Sequence, residues 1–163
     1  MLSQRPRRCN KSTMRFLRTL PLVVGSLCAL GLTASNATDF SSVAPPYAVM
    51  YDAPTQKGRK LYIAPGGMPL EVVLTNGDWA RVRDSSGELS WIKASSLLPR
   101  RTLIVEVDQA TIRASENESA PAVFTAAKWV VLELAEPIRS GWIKVRHRDG
   151  ETGFVKASEV WGD

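Results

Sequence analysis

Two sets of four side chains have the types and spacing for recognition chemistry: Trp79, Arg81, Arg83 and Trp91, then Trp142, Lys144, Arg146 and Phe154. Aromatic faces stack on sugars and other rings, cations pair with carboxylates, and a cation over a ring face is itself attractive. No set suited to bond-breaking accompanies them. Acyl or glycosyl chemistry needs a nucleophile beside a base, or paired acids in a cleft. The one histidine, His147, ends a run between Arg146 and Arg148 and reads as structural. Both cysteines, Cys9 and Cys28, fall in the N-terminal segment, so the remainder has no disulfide, thiolate nucleophile or cysteine metal site. A lone histidine makes no structural zinc site, and no Asp-x-Asp loop offers calcium ligands. The expectation is a non-enzyme with no metal and no cofactor.

The two sets sit in copies of one stretch. Residues 79–98 read WARVRDSSGELSWIKASSLL, and residues 142–161 read WIKVRHRDGETGFVKASEVW. At an offset of 63 they share Trp79/Trp142, Val82/Val145, Arg83/Arg146, Gly87/Gly150, Glu88/Glu151 and Lys93-Ala94-Ser95/Lys156-Ala157-Ser158. An ungapped match at a fixed period marks a structural repeat. Each copy has two short runs flanking a glycine-containing turn, which predicts a β-hairpin. Period-2 alternation puts Ala80, Val82, Ile143 and Val145 on the core face and the aromatic and cationic residues on the other. Loops Ser85-Ser86-Gly87 and Arg148-Asp149-Gly150 place glycine last, where a type I turn plus bulge needs a left-handed residue. The register then pairs Val82 with Ser90, Ala80 with Ile92 and Ile143 with Val155. Slipping by one residue would put Ile92 on the polar face. Arg81 comes to lie opposite Trp91, and Lys144 opposite Phe154. Each is a candidate cation–π pair, set against the plainer reading of arginine stems covering rings on a solvated strand.

The formal charge of +5 is concentrated at one end. Residues 1–37 hold six of the 21 basic residues and no acidic ones, leaving 15 basic against 16 acidic, a net charge of −1. That basic start leads into the apolar run Leu20–Leu32 and then Ser35-Asn36-Ala37, the pattern of a secretory signal peptide cleaved after Ala37. Met14 would serve as an alternative start. The run of 13 is short of the ~20 residues of a membrane span. The expected product is periplasmic or secreted and meets a membrane only transiently, through the signal peptide. Without a basic excess it has no footprint for nucleic acid.

Residues 38–46, TDFSSVAPP, read as a flexible leader. From Tyr47, short apolar runs alternate with turn signals, and no window keeps a 3.6-residue period. This predicts an all-β protein of two tandem small barrels, residues 47–99 and 102–163, joined by a linker too short for independent motion. In the second, Leu103–Val107, Ala110–Arg113, Val123–Thr125 and Trp129–Leu134 are read as strands around a polar loop at residues 114–121.

The pattern resembles the bacterial SH3 (SH3b-type) repeats of exported bacterial proteins. Ala110-Thr111-Ile112-Arg113 is similar to the family's Leu-Asn-Val-Arg start. Trp142-Ile143-Lys144-Val145 matches its Trp-x-Lys-Val, and Gly150-Glu151-Thr152-Gly153-Phe154-Val155 its Gly-x-x-Gly-Trp-Val. The first copy departs in carrying Ser90 for the second glycine and Val49-Met50-Tyr51-Asp52 at its start. The resemblance implies two SH3-like barrels and an association with the cell wall. It also implies that Trp79 and Trp142 line grooves, as the matching tryptophan does in eukaryotic SH3 domains. Lys93 and Ser96, and Lys156 and Glu159, stand near where those grooves carry Pro and Tyr. Without aromatic walls, proline-rich peptides are not the expected ligand.

Three readings of function follow. The first is a non-catalytic module docking peptidoglycan or its stem peptides through the eight residues named above. The second is a protein–protein adaptor for a cell-envelope enzyme. The third, an accessory hydrolase, lacks its catalytic set.

Overall fold

The computed structural model describes residues 39–138 and 141–163, all within one compact unit. The expected signal peptide, with its cleavage point, the alternative start and both cysteines, lies outside the described residues. Among the described residues, fourteen strands make two seven-stranded sheets, with two short 3-10 turns between strands. The first contains β1 (Phe40–Val43), β2 (Tyr47–Tyr51), β3 (Lys60–Pro65), β4 (Pro69–Asn76), β5 (Trp79–Arg83), β6 (Leu89–Lys93) and, after the turn Ala94–Ser96, β7 (Leu97–Leu98). The second repeats it as β8 (Thr102–Val105), β9 (Gln109–Arg113), β10 (Ala122–Ala127), β11 (Val131–Leu134), β12 (Trp142–Arg146), β13 (Thr152–Lys156) and β14 (Val160–Trp161). The orders are β3-β2-β6-β5-β4-β1-β7 and β10-β9-β13-β12-β11-β8-β14, the same topology twice. Both sheets close around their own apolar cores, as SH3-like barrels do. No helix among the described residues is long and apolar enough to cross a membrane.

The hairpins take the register that alternation requires. Ala80 faces Ile92, Val82 faces Ser90 and Ile143 faces Val155. Gly87 and Gly150 close the turns at φ +85° and +94°, a region that glycine enters without steric cost. Ala80, Val82, Ile143 and Val145 are buried, each inside its own barrel. Gly153 replaces a side chain for a local reason: a Cβ there would stand 2.5 Å from Ile112 Cγ2 and 2.7 Å from the Arg113 carbonyl oxygen. The first barrel, with Met50 and Tyr51 at those neighbouring places, holds the buried Ser90 instead.

Two expectations need correction. Residues 38–46 are not a flexible leader throughout, because Phe40–Val43 pair with β4 on one side and β7 on the other. Likewise Trp129 is not in a strand; β11 begins at Val131. Trp129 occupies the turn between β10 and β11 at φ +71°, and the matching turn of the first barrel carries Gly67 at φ +85°. The equivalence is set by hydrogen bonds. Gly67 N–H donates to the Val43 carbonyl at 2.8 Å and Trp129 N–H to the Val105 carbonyl at 2.9 Å. A left-handed conformation costs a non-glycine residue roughly 1–2 kcal/mol.

β1 and β8 also explain how the barrels meet. All four β8 residues are buried, Leu103 and Val105 in their own core and Thr102 and Ile104 on the opposite face. The Thr102 hydroxyl donates to the Gly67 carbonyl of the first barrel at 2.8 Å. The Phe40 ring meets Trp161 edge-on at 5.1 Å, and the Arg101 guanidinium lies 5.7 Å from the Phe40 centroid.

Candidate functional site

β5 carries Trp79 to the mouth of a cleft of about 570 Å³, between the loop after β2 and the 3-10 turn. Pro54, Lys57, Asp78, Trp79 and Lys93 line it. Trp79 is half-buried because the Tyr51 ring backs it edge-on at 5.2 Å. The floor is fixed by the Ala94 N–H donating to the Asp78 carbonyl at 2.9 Å. Neither Lys57 nor Lys93 has a carboxylate within 4.0 Å among the described residues. Two ammonium groups thus accompany one indole, and the Asp78 carboxylate that shares the cleft is within ion-pair distance of neither.

The second barrel builds the same corner and closes it. Its Ala157 N–H donates to the Gly141 carbonyl at 2.9 Å, and Trp142 stands where Trp79 does. Lys156, the counterpart of Lys93, lies 5.9 Å from the Trp142 centroid and donates to Glu118 Oε1 at 2.6 Å. That bond, with the charge of Lys156 beside it, holds the Glu118 carboxyl below its ordinary range. The sequence difference is plain: the long loop of the first barrel carries Lys57, and that of the second carries Glu116 and Glu118.

The remaining expected site residues are dispersed in role. Lys144 sits 5.8 Å from the Phe154 centroid, the cation–π pair the register suggests, and also donates to Glu136 at 2.5 Å. Arg81 and Trp91 are paired across the strands, yet no cation–π contact joins them among the described residues. Trp91 is flanked by Tyr51 on the neighbouring strand. Arg83 donates to Glu71 at 2.9 Å, so its charge is matched. Arg146 is exposed and turns to a second cleft, of about 520 Å³, between the two barrels. Its lining includes Trp129, which sequence reasoning placed in a strand. Aligning Trp129 with Gly67 would have marked it, since a bulky residue is rare where a glycine suffices.

Among the described residues, no three His, Cys, Asp or Glu side chains gather as metal ligands would. The Bacterial SH3 domain family matches the chain twice, over residues 44–98 and 106–162. Solved structures similar to it include NlpC2 from Trichomonas vaginalis, at 15% identity, TM-score 0.35, covering 77% of this chain and 48% of that one. NlpC1 from the same organism is 15% identical at TM-score 0.36, covering 80% and 48%. An NlpC/P60 family protein from Bacillus cereus is 13% identical at TM-score 0.34, covering 75% and 55%. The chain thus spans about half the length of these solved proteins. No curated protein matches it. Two family matches coinciding with two sheets of one topology make this chain a tandem member of the bacterial SH3 domain family.

Proposed function

We propose that this protein is an exported, non-catalytic binding module that docks peptidoglycan through the first barrel's groove. Lys57 and Lys93 take carboxylates of the stem peptides, and Trp79 supplies the apolar wall. The observation that carries the reading is the contrast at one position. Lys93 has no carboxylate within 4.0 Å among the described residues, whereas Lys156 is bound to Glu118 over Trp142. The second groove already holds, from its own chain, the kind of group the first is built to receive. Arg81 and Trp91 extend the first surface along the hairpin.

Co-sedimentation of the purified protein with sacculi tests this. Binding at low salt should weaken as salt screens the exposed charges. Trp79→Ala with Lys93→Glu should lower it by about tenfold or more. Failure to pellet at low salt, or binding indifferent to that double change, would remove the proposal.

The adaptor reading has one observation in its favour. Tyr47, Leu61 and Ile63 are 57%, 39% and 64% exposed on β2 and the edge strand β3. Capture of an envelope protein that survives Trp79→Ala but is lost on Ile63→Glu would establish it.

A further inference from the structure

The cleft between the barrels is separate from the groove at Trp79, and its walls come from both repeats. Gly67, in the turn after β3, lies on one side; Trp129, Glu133, Arg146 and Arg148 lie on the other. Its volume, about 520 Å³, falls within the ~300–1,000 Å³ of small-molecule sites.

Three features point to a ligand. First, Trp129 is 59% exposed while held at φ +71°. Burial does not explain it, because more than half of the residue stays in water. The turn does not require it, because glycine serves the same hydrogen bonds in the first barrel. Strained conformations of this kind gather where a side chain must be presented. Second, Lys128 Nζ stands 5.2 Å from the Trp129 centroid, adding a cation beside the ring. Third, the cleft is cationic. Arg100, Arg146 and Arg148 line it against the single carboxylate of Glu133. Arg100 pairs with Glu133 at 3.7 Å and Arg148 with Asp149 at 3.8 Å. His147 Nδ1 is 3.0 Å from the same Asp149 carboxylate. Arg146 has no carboxylate within 4.0 Å among the described residues. An exposed indole and a guanidinium without such a carboxylate, lining one cleft, suit a ring with an apolar face and one negative group.

From this geometry we infer that the inter-barrel cleft is a second binding site, for a carboxylate-bearing sugar. The ring lies against Trp129, and the carboxylate pairs with Arg146. The inference does not depend on the groove at Trp79.

The test is a titration of the purified, 15N-labelled protein, following the five tryptophan indole N–H signals. The probes are N-acetylmuramic acid, glucuronic acid and the neutral N-acetylglucosamine. Both acids should move the Trp129 signal, and the neutral sugar should not. If only N-acetylmuramic acid moves it, the site is still an acidic-sugar site, with the wall glycan as its source. If both acids move it, the class is acidic sugars in general. Trp129→Gly should lower affinity by roughly tenfold while leaving the melting temperature unchanged or higher, since glycine relieves the strained turn. Arg146→Gln should weaken the acids without altering the fold. No movement at Trp129, equal response to the neutral sugar, or full affinity in Trp129→Gly would each overturn the inference.

Discussion

The Tyr62 hydroxyl donates a 2.8 Å hydrogen bond to Asp84 Oδ2, tying β3 to the hairpin turn. At the corresponding places the second barrel has Phe124 and His147, with ring centroids 5.7 Å apart. One repeat fastens this corner with a polar bond and the other with a ring contact, so the pairs are exchangeable only as pairs. Asp84 also accepts from the Ser86 N–H, the Ser86 hydroxyl and the Glu88 N–H, which shapes the turn.

Tyr62→Phe should cost about 1.5–3 kcal/mol, the net worth of a hydrogen bond to a charged group, read from urea unfolding. Burial raises the Tyr62 pKa above its ordinary value of 10.0, and the Asp84 carboxylate raises it further. The folded state therefore holds this proton more tightly than the unfolded chain does. The contribution is complete below pH about 10 and declines as pH rises beyond it. Tyr62→Phe should flatten that alkaline decline; an unchanged slope would exclude Tyr62 as its source.

Gly153→Ala should destabilise the second barrel by about 1–3 kcal/mol, because its methyl group would meet Ile112 and the Arg113 backbone. Hydrogen exchange should locate the loss in β9 and β13. Protection lost evenly across both barrels would count against a local clash.

Glu118→Gln should open the second groove. Freed from its carboxylate, Lys156 resembles Lys93, and sacculus binding should rise severalfold if the two grooves share one chemistry. Binding no stronger than that of the unaltered protein would mean that the second barrel's groove is unsuited to the ligand for another reason.

Phe40→Ala removes a buried ring that touches Trp161 and Arg101 across the junction. A loss near 3 kcal/mol is expected. Calorimetry should show one unfolding transition dividing into two as the barrels uncouple. An unaltered single transition would show that β8 and the Thr102 bond suffice without it.

The hairpins were legible in the sequence because turn glycines and two-residue alternation act locally. Changing either would turn core valines outward. Phe40–Val43 was not legible: four residues ahead of Pro45-Pro46 carry no period, and their partners lie in β4 and β7, far along the chain. Trp129 was misread because an apolar Trp-Val-Val-Leu run resembles a strand, whereas hydrogen bonds to Val105 bend its first residue into a turn. The placement of Trp79 followed from alternation. The pairing of Lys156 with Glu118 did not, since it spans 38 residues and depends on how a loop folds back. The inter-barrel cleft belongs to neither repeat alone and has no sequence signature.

The 5.1 Å contact between Phe40 and Trp161 makes neighbours of β1 and β14, the first and last strands along the described residues. Joining those ends with a few glycines and cutting at an exposed loop should give a circular permutant that still folds. By the same geometry, the pair can be spliced as a cassette into a surface loop of a host enzyme, entering and leaving at one spot.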